Sequence, residues 1–473
     1  MQPTCERSPA TGRASVLGLA IAGLLAWVAC GRGDVPAPDA SLPPHVLLVT
    51  LDTTRADHLS LYGHDRPTSP NLDELARESV VYERAYSTSS WTLPAHASLF
   101  TGRYPTSHGA RHDAGGRLVL ASAIERAPTS VRARAMDAGE QTLAELLAAR
   151  GYRTGAVVAG PWLIGTFGLA KGFAHWDDDG IRSAAGRRAT AVTDRAIAWL
   201  EAGDARPDFL FLNYFDPHAP YLPPPSHARA FLPPGVTPDP RSRVQADALY
   251  DAEILYMDHE LGRLLRHLRE SGRLDETLVV VTADHGELLG EHGTFGHGRF
   301  LWEPLTRVPL VVRPPGPRRA GRRESERVSL VDVAPLVLRA AGVPMPDRMQ
   351  GAAPGERRDA VLAEVHSSSD GAGSVEAGVT WRARWDGSEK LLASDDGERR
   401  LYDLDRDPDE RHDLAAARPD DMARAAHALE QAFAALPRPG PATPVEIDPG
   451  TLEALRAMGY VDEDLEEAGG GHH

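Results

Sequence analysis

The sequence predicts an α/β fold, a mostly parallel central sheet with helices on both faces, followed by a small C-terminal antiparallel subdomain. Two observations carry the main part of this reading. Short, almost wholly apolar runs recur along the chain, as in strands buried on both sides. Longer stretches of helical period lie between them, and strands alternating with helices build a parallel sheet covered on both faces. The strands are predicted at 45–52, 155–159, 209–215, 277–282 and 308–312. The helices are predicted at 70–79, entered by Ser69 and Pro70, and at 140–150, 187–202, 246–271 and 329–341, closed by Gly151, Gly203, Gly272 and Gly342. From about Trp381 the pattern changes to short, polar, hairpin-like runs, and a further helix is predicted near 419–436. Residues 217–240 hold nine prolines, too many for a helix or a central strand, which predicts an ordered loop or lid.

The chain has 473 residues, with 51 Lys and Arg against 67 Asp and Glu and a net charge of −16. Without a basic face it has no means of releasing counterions from a nucleic acid backbone, so that class of partner is excluded. Both cysteines, Cys5 and Cys30, precede the predicted fold, so its core chemistry uses no disulfide, zinc knuckle or thiolate. Residues 14–29 form an apolar run shorter than the roughly 20 residues of a membrane span, preceded by Arg7 and Arg13, as in a signal peptide. Val28, Ala29, Cys30 and Gly31 resemble a bacterial lipoprotein processing site, although Trp27 replaces the usual leucine; a plain secretory signal is the other reading. Both readings predict an exported protein, periplasmic or at the cell surface; the lipoprotein reading adds membrane contact, through a lipid anchor at Cys30 alone. The expected organisation is a signal peptide (1–30), a Pro/Gly-rich tether (31–44), a catalytic domain (45–365), a small β subdomain (366–415) and helical segments with a disordered tail (416–473).

Three predicted strands run into metal-capable residues: the first into Asp52, the third into Asp216-Pro217-His218, the fourth into Asp284-His285. In an open parallel sheet ligands bind beyond the carboxyl ends of the strands, so these stretches are expected to meet on one edge. A single aspartate there is usually a turn residue or cap; three together, two of them with histidine, point to a metal site. The segment around Thr92 reads as a loop entering a helix, with Thr92 at the N-cap and Pro94 in the first turn. Capping, worth about 1 kcal/mol, is the plain explanation. A hydroxyl beside a divalent cation also loses its proton near neutral pH, which makes Thr92 a candidate nucleophile.

These motifs together resemble the sulfatase family of the alkaline-phosphatase superfamily, from about His45 to Leu414. They are Leu51-Asp52, Thr92-Leu93-Pro94-Ala95-His96 through Thr101-Gly102-Arg103-Tyr104-Pro105, Thr282-Ala283-Asp284-His285-Gly286-Glu287, and the C-terminal run from Leu401 through Asp413-Leu414. The resemblance implies an alkaline-phosphatase-like fold, a divalent metal on Asp52, Thr92, Asp284 and His285, and Thr92 in the nucleophile position. His218 and His297 match histidines that hold the transferred group or a second metal. His297 follows His285 by twelve residues, the spacing of the superfamily's phosphoethanolamine transferases. The plain alternatives are that His218 braces the proline-rich loop and that His297 is a turn histidine facing solvent.

The departures bear on chemistry. Usual sulfatases carry C-x-P-x-R or S-x-P-x-R, whose first residue becomes formylglycine; here Thr92 stands first and His96 replaces the arginine. Threonine cannot give that aldehyde because its β-carbon bears a methyl group. The usual G-K-W-H is Gly160-Pro161-Trp162-Leu163 in this chain, without the lysine and histidine that hold sulfate. A threonine nucleophile beside a metal resembles instead the superfamily's phosphodiesterases and head-group transferases. The expected activity is therefore hydrolysis of phosphate or sulfate esters through a covalent Thr92 intermediate, phosphoester favoured. His218 or His297 serves the leaving oxygen or water, and His96 contacts substrate. Zn or Mn suits imidazole with carboxylate, and Ca or Mg an oxygen-rich site, with one ion or two. The substrate is a small-molecule, glycan-linked or lipid-linked ester. Alternatives are a sulfatase proper, a phosphoethanolamine- or phosphoglycerol-type transferase, and a non-catalytic binding lipoprotein. Arg55 with Asp57 is expected as a structural pair, Asp258 as a buried hydrogen-bonding partner, and His112 as a reserve substrate contact.

Overall fold

A computed structural model describes residues 43–112, 119–120, 133–181, 186–352, 356, 358, 360–367, 379–440 and 446–447. The expected signal peptide, Cys30, nearly all of the tether and most of the tail lie outside the described residues.

The apolar runs form the middle of an eight-stranded sheet. In chain order its strands are β1 (His45–Leu51), β2 (Val80–Tyr86), β3 (Arg153–Val157), β4 (His175–Asp177), β5 (Asp208–Tyr214), β6 (Thr277–Thr282), β7 (Arg307–Arg313) and β8 (Arg322–Ser329). Across the sheet they run β8-β2-β7-β6-β1-β5-β3-β4. Every pairing is parallel except those of β7, which is antiparallel to both β2 and β6. Successive side chains of a strand face opposite ways. Val46 and Leu48 of β1 therefore join one apolar layer, and Leu47, Val49 and Leu51 the other.

Besides one-turn helices at Pro105–His108 and Glu303–Thr306, the described helices around this sheet are α1 (Pro70–Ala76), α2 (Thr92–Thr101), α3 (Leu143–Ala148), α4 (Ala189–Glu201), α5 (Pro225–Phe231), α6 (Ala246–Glu270) and α7 (Val333–Ala340). Leu93, Ala97 and Phe100 of α2 pack in the first layer with Leu143 and Leu147 of α3 and Val333 and Val337 of α7. The second layer holds Leu72 and Leu75 of α1, Val192, Ala196 and Leu200 of α4, and Leu249 and Ile254 of α6. The i, i+4, i+8 spacing of the α4 set is the amphipathic signal that predicted this helix. Asp258 caps α1 by accepting from the backbone N–H groups of Asn71 and Leu72 and from Asn71 Nδ2, the buried partner role expected of it.

Several boundaries move for physical reasons. Helix α3 begins at Leu143 because Thr142 and Glu145 close a reciprocal capping box. Gly272, at φ +75°, takes the left-handed turn after α6 that side chains resist. The segment predicted as one helix at 329–341 is a short 3-10 turn, Leu330–Asp332, followed by α7. The proline-rich stretch is not wholly irregular: Pro225 starts α5, where its missing N–H costs nothing. Strands β2 and β8 were not predicted, since Glu83, Arg84 and the charged run of β8 hide a partly exposed end of the sheet.

The C-terminal sheet is antiparallel, formed by β9 (Val361–His366), β10 (Thr380–Asp386), β11 (Glu389–Ser394) and β12 (Arg399–Asp403), with α8 (Pro419–Ala435) against it. Its first strand lies within the 45–365 segment assigned to the catalytic domain, so the sheet begins at Val361 rather than at 366. Two attachments fix it to the rest. Glu364 donates its backbone N–H to the Thr88 carbonyl at 2.9 Å, and its carboxylate accepts from the Thr106 backbone and hydroxyl. Lys390, fully buried, pairs with Glu303 at 3.1 Å and Glu410 at 2.7 Å.

Candidate active site

The carboxyl ends of β1, β2, β5 and β6 all open on one edge of the sheet, and the motif residues follow those ends. Asp52 comes directly after β1 on a strained turn, where Thr53 has φ +51°. Non-glycine residues in that region cost of order 1–3 kcal/mol and need support from their surroundings. Here Thr53 donates its N–H to Asp284 Oδ1 at 3.1 Å, and the Tyr250 hydroxyl donates to the Thr53 carbonyl at 2.6 Å while accepting from the Arg55 N–H at 2.9 Å. Arg55 forms the expected pair with Asp57, and it also reaches Glu291.

Asp284 and His285 follow β6. Gly286 makes their tight turn possible, because a Cβ there would lie 1.9 Å from the Pro304 carbonyl oxygen. His285 Nδ1 donates to the Gly286 carbonyl at 2.9 Å, which leaves Nε2 as the lone-pair nitrogen, 3.3 Å from Asp284 Oδ2 and 3.2 Å from Thr92 Oγ1. Asp52, Asp284 and His285 offer ligand atoms within 4.8 Å of one another. Asp52 Oδ1 and Asp284 Oδ2 are buried without a hydrogen-bond partner. Two such oxygens beside an imidazole lone pair are a donor set that fits a divalent cation.

Thr92 differs from its expected place by one residue. Trp91 is the N-cap, Thr92 is the first helical residue, and the Thr92 hydroxyl faces His285 instead of capping the helix. His96, expected to touch substrate, is completely buried, and its ring nitrogens are engaged inside the protein. Nδ1 donates to the Thr92 carbonyl at 2.9 Å, the i, i+4 relation of a helix, and Nε2 accepts from Thr50 Oγ1 at 2.9 Å. His218 and His297 do converge on the site. Their rings lie 5.0 Å apart, with His297 4.6 Å from His285, and His218 stacks on Phe215 at 4.3 Å. Asp216, by contrast, turns away toward Arg188, 3.6 Å from its Nε. His112 stands 6.1 Å edge-on from Trp91.

Burial dominates the electrostatics. It pushes the Asp52 carboxyl well above the usual range, with the negative Asp284 adding to the effect. Burial acts on Asp284 in the same sense, but His285 and His96 outweigh it and hold that carboxyl down. Burial also pushes His285 and His218 down to about 4, so both imidazoles are neutral near pH 7.

Three contributors escaped sequence reasoning. Asn213 of β5 donates to Asp52 Oδ2 at 3.3 Å and to Thr50 Oγ1 at 3.2 Å, and accepts from the Gly160 and Ala159 N–H groups at 2.9 and 3.3 Å. A chain of bonds thus runs from Asn213 through Thr50 and His96 to the Thr92 carbonyl. Glu287, fully buried, accepts from His297 Nδ1 at 2.9 Å. The signal for Asn213 and Thr50 was available as polar residues inside otherwise apolar strand runs. A second group, His58, His64 and Asp251, has a metal-like composition. Its Asp251 oxygens already accept from both imidazoles and from Arg66 Nη1 at 2.5 Å, so it is an ion-pair cluster pinning the 53–68 loop to α6.

Residues 44–343 match the family model described as Sulfatase. The N-acetylglucosamine-6-O-sulfatase of Bacteroides thetaiotaomicron is 24% identical over 420 residues, covering 67% of this chain and 71% of that protein. The multifunctional alkaline phosphatase superfamily protein PehA of Trinickia caryophylli is 29% identical over 391 residues, covering 65% of this chain and 75% of that protein. The crystal structure of a phosphonate monoester hydrolase of Agrobacterium radiobacter shares the fold, with a TM-score of 0.67 at 23% identity, covering 83% of this chain and 95% of the other.

Proposed function

This chain belongs to the sulfatase family and is a hydrolase of ester bonds; we propose that it cleaves phosphate esters in preference to sulfate esters, through a covalent ester on Thr92. The observation that carries this reading is the Thr92 hydroxyl held 3.2 Å from His285 Nε2, beside the unpartnered oxygens of Asp52 and Asp284. Asp52, Asp284 and His285 would hold a divalent cation, whose charge would favour ionised Thr92 Oγ1 near neutral pH, Zn or Mn suiting the mixed imidazole and carboxylate donors.

The chain's own residues do the rest. Helix α2 presents Thr92 at its first turn, where the backbone dipole favours a negative oxygen. His96 fixes that turn from behind, as a positioning residue. Thr92 Oγ1, its proton lost to solvent, attacks phosphorus in line and the bond to the leaving oxygen breaks, that oxygen taking a proton from water; neutral His218, whose Nδ1 donates to the Ala219 carbonyl and which has His297 beside it, keeps Nε2 free to accept the proton of the water that follows. Glu287 sets the His297 tautomer by accepting from Nδ1–H. Water then releases the Thr92 ester. The similarity to an N-acetylglucosamine-6-O-sulfatase supports sulfate-ester hydrolysis as the second reading. Export and a lipid anchor at Cys30 rest on the 14–29 apolar run and the small residues before Cys30.

The test compares kcat/KM of the metal-loaded protein on 4-nitrophenyl phosphate, bis(4-nitrophenyl) phosphate and 4-nitrophenyl sulfate, with Thr92→Ala alongside. Phosphate-ester turnover is expected to dominate and to fall on the order of 10⁴-fold in kcat in Thr92→Ala. Dominant sulfate turnover that survives Thr92→Ala would overturn the assignment.

A further inference from the structure

From Ala85 to Ala110 every residue is buried except one, Trp91. The residue left partly in water is the bulkiest apolar side chain of that segment, and it directly precedes Thr92. Burying an indole is among the largest apolar gains a fold can make, so its exposure here runs against packing alone.

The position of Trp91 is also particular. On one side its indole meets the edge of Trp162 at 4.6 Å, in the Gly160–Leu163 turn. Trp91 Cδ1 also lies close to Gly298, whose missing Cβ would stand 3.8 Å away, so the turn carrying His297 approaches the indole with no Gly298 side chain between them. Trp91 therefore spans the gap between two turns that flank the nucleophile. Pro161 and Trp162 make the first of these turns apolar. The charged part of an ester belongs beside Asp52, Asp284 and Thr92, and the adjoining wall is aromatic.

We propose that Trp91, backed by Trp162, is a subsite for a flat ring carried by the ester, and that it selects ring-bearing esters over acyclic ones. The inference rests on the hydrolase reading above. Indole recognises an aryl ring or the apolar face of a pyranose by the same stacking chemistry.

Calorimetry on the full-length, Mn-loaded protein tests it with phenylphosphonate, methylphosphonate and glucose 1-phosphate. Phenylphosphonate is expected to bind about tenfold more tightly than methylphosphonate, and Trp91→Ala is expected to erase that ratio while leaving methylphosphonate within about twofold. Trp91→Phe should retain most of the ratio, which separates stacking from a folding defect. Loss of glucose 1-phosphate affinity in Trp91→Ala would assign the ring to a sugar, and loss for phenylphosphonate alone would assign it to an aryl group. Equal binding of the two phosphonates, or a ratio unmoved by Trp91→Ala, together with glucose 1-phosphate affinity unchanged in Trp91→Ala, overturns the subsite and leaves the hydrolase reading standing. Binding of none of the three overturns both.

Discussion

Replacing Asn213 with leucine keeps most of the side-chain volume and deletes four hydrogen bonds at the carboxyl edge of the sheet. The bond from the Gly160 N–H is 2.9 Å long; the other three, to Ala159, Thr50 and Asp52, measure 3.2 to 3.3 Å and lie at the weak end of the range. Allowing the first a full contribution and the others rather less, and adding the cost of two buried N–H groups left without this acceptor, the loss comes to about 3 kcal/mol. For a folded unit of this size that lowers Tm by roughly 3–4 °C. The larger effect falls on metal binding, because Asn213 orients Asp52 and, through Thr50 and His96, the first turn of α2. Removing a partner that orients a ligand typically costs 10–100-fold in metal affinity. Titration calorimetry with Mn on wild type and Asn213→Leu, paired with thermal denaturation, reads both quantities. A folded Asn213→Leu protein that binds Mn within twofold of wild type would refute the proposed role, whatever its Tm.

Two further perturbations reach other parts of the molecule. Lys390→Met removes the cation between Glu303 and Glu410 and leaves the two carboxylates with no countercharge, Glu303 keeping the Trp385 Nε1–H and Glu410 the Glu303 backbone N–H, so a destabilisation of about 3–5 kcal/mol is expected by chemical denaturation; a neutral effect would mean the pair adds nothing to the seam. Burial pushes the Asp216 carboxyl up to about 7, against about 3.9 in an unfolded chain. Between those values the folded state holds the extra proton, so this group's contribution to stability is full below pH 4 and is lost as the pH rises toward 7. Asp216→Asn should therefore raise Tm relative to wild type at pH 8 and much less at pH 4.5; an identical offset at both would show that Asp216 does not titrate this way.

The legible part of the site was the part written as strand followed by ligand. Asp52 and Asp284-His285 could be placed because an apolar run ending in a metal-capable residue has one geometric meaning in a parallel sheet. Thr92 was found as a hydroxyl at a helix start and through the family resemblance, but not its bonding, since such a hydroxyl serves either the backbone or a neighbour and only the tertiary structure brings His285 to it. His96 was misjudged because its helical spacing from Thr92 turns it inward under the first turn, a direction that depends on where the helix sits on the sheet. Asn213 stood out as a polar residue inside an apolar strand, but only the packing of β5 beside β1 ties it to Asp52 and Thr50. Strands β2 and β8 escaped because half-exposed strands tolerate Glu83, Arg84 and the charges of 322–327, which break the apolar pattern. Asp216 illustrates the opposite error, since its sequence neighbours promised a ligand and its backbone sends the carboxylate to Arg188.

The C-terminal sheet holds the nucleophile segment through Glu364 of β9, and the segment following His297 through Lys390 of β11 and Trp385 of β10, which both bond Glu303. It acts as a jig for the catalytic groups, so the segments bearing Thr92 and His297 are gauged against a common reference and not only against each other. A shortened protein ending near residue 360 would lose that reference and leave Thr106 and Glu303 without their partners, so the active half is not separable at the boundary where the sequence changes character. The proline-rich 217–240 stretch is held instead to the main body, where Arg188 donates to the Leu222 carbonyl at 2.9 Å and His227 meets His259 at 2.8 Å. Insertions after His227 can reshape the surroundings of the site while leaving His218 in place, whereas insertions in β9 or β11 would disturb the spacing of the catalytic groups directly.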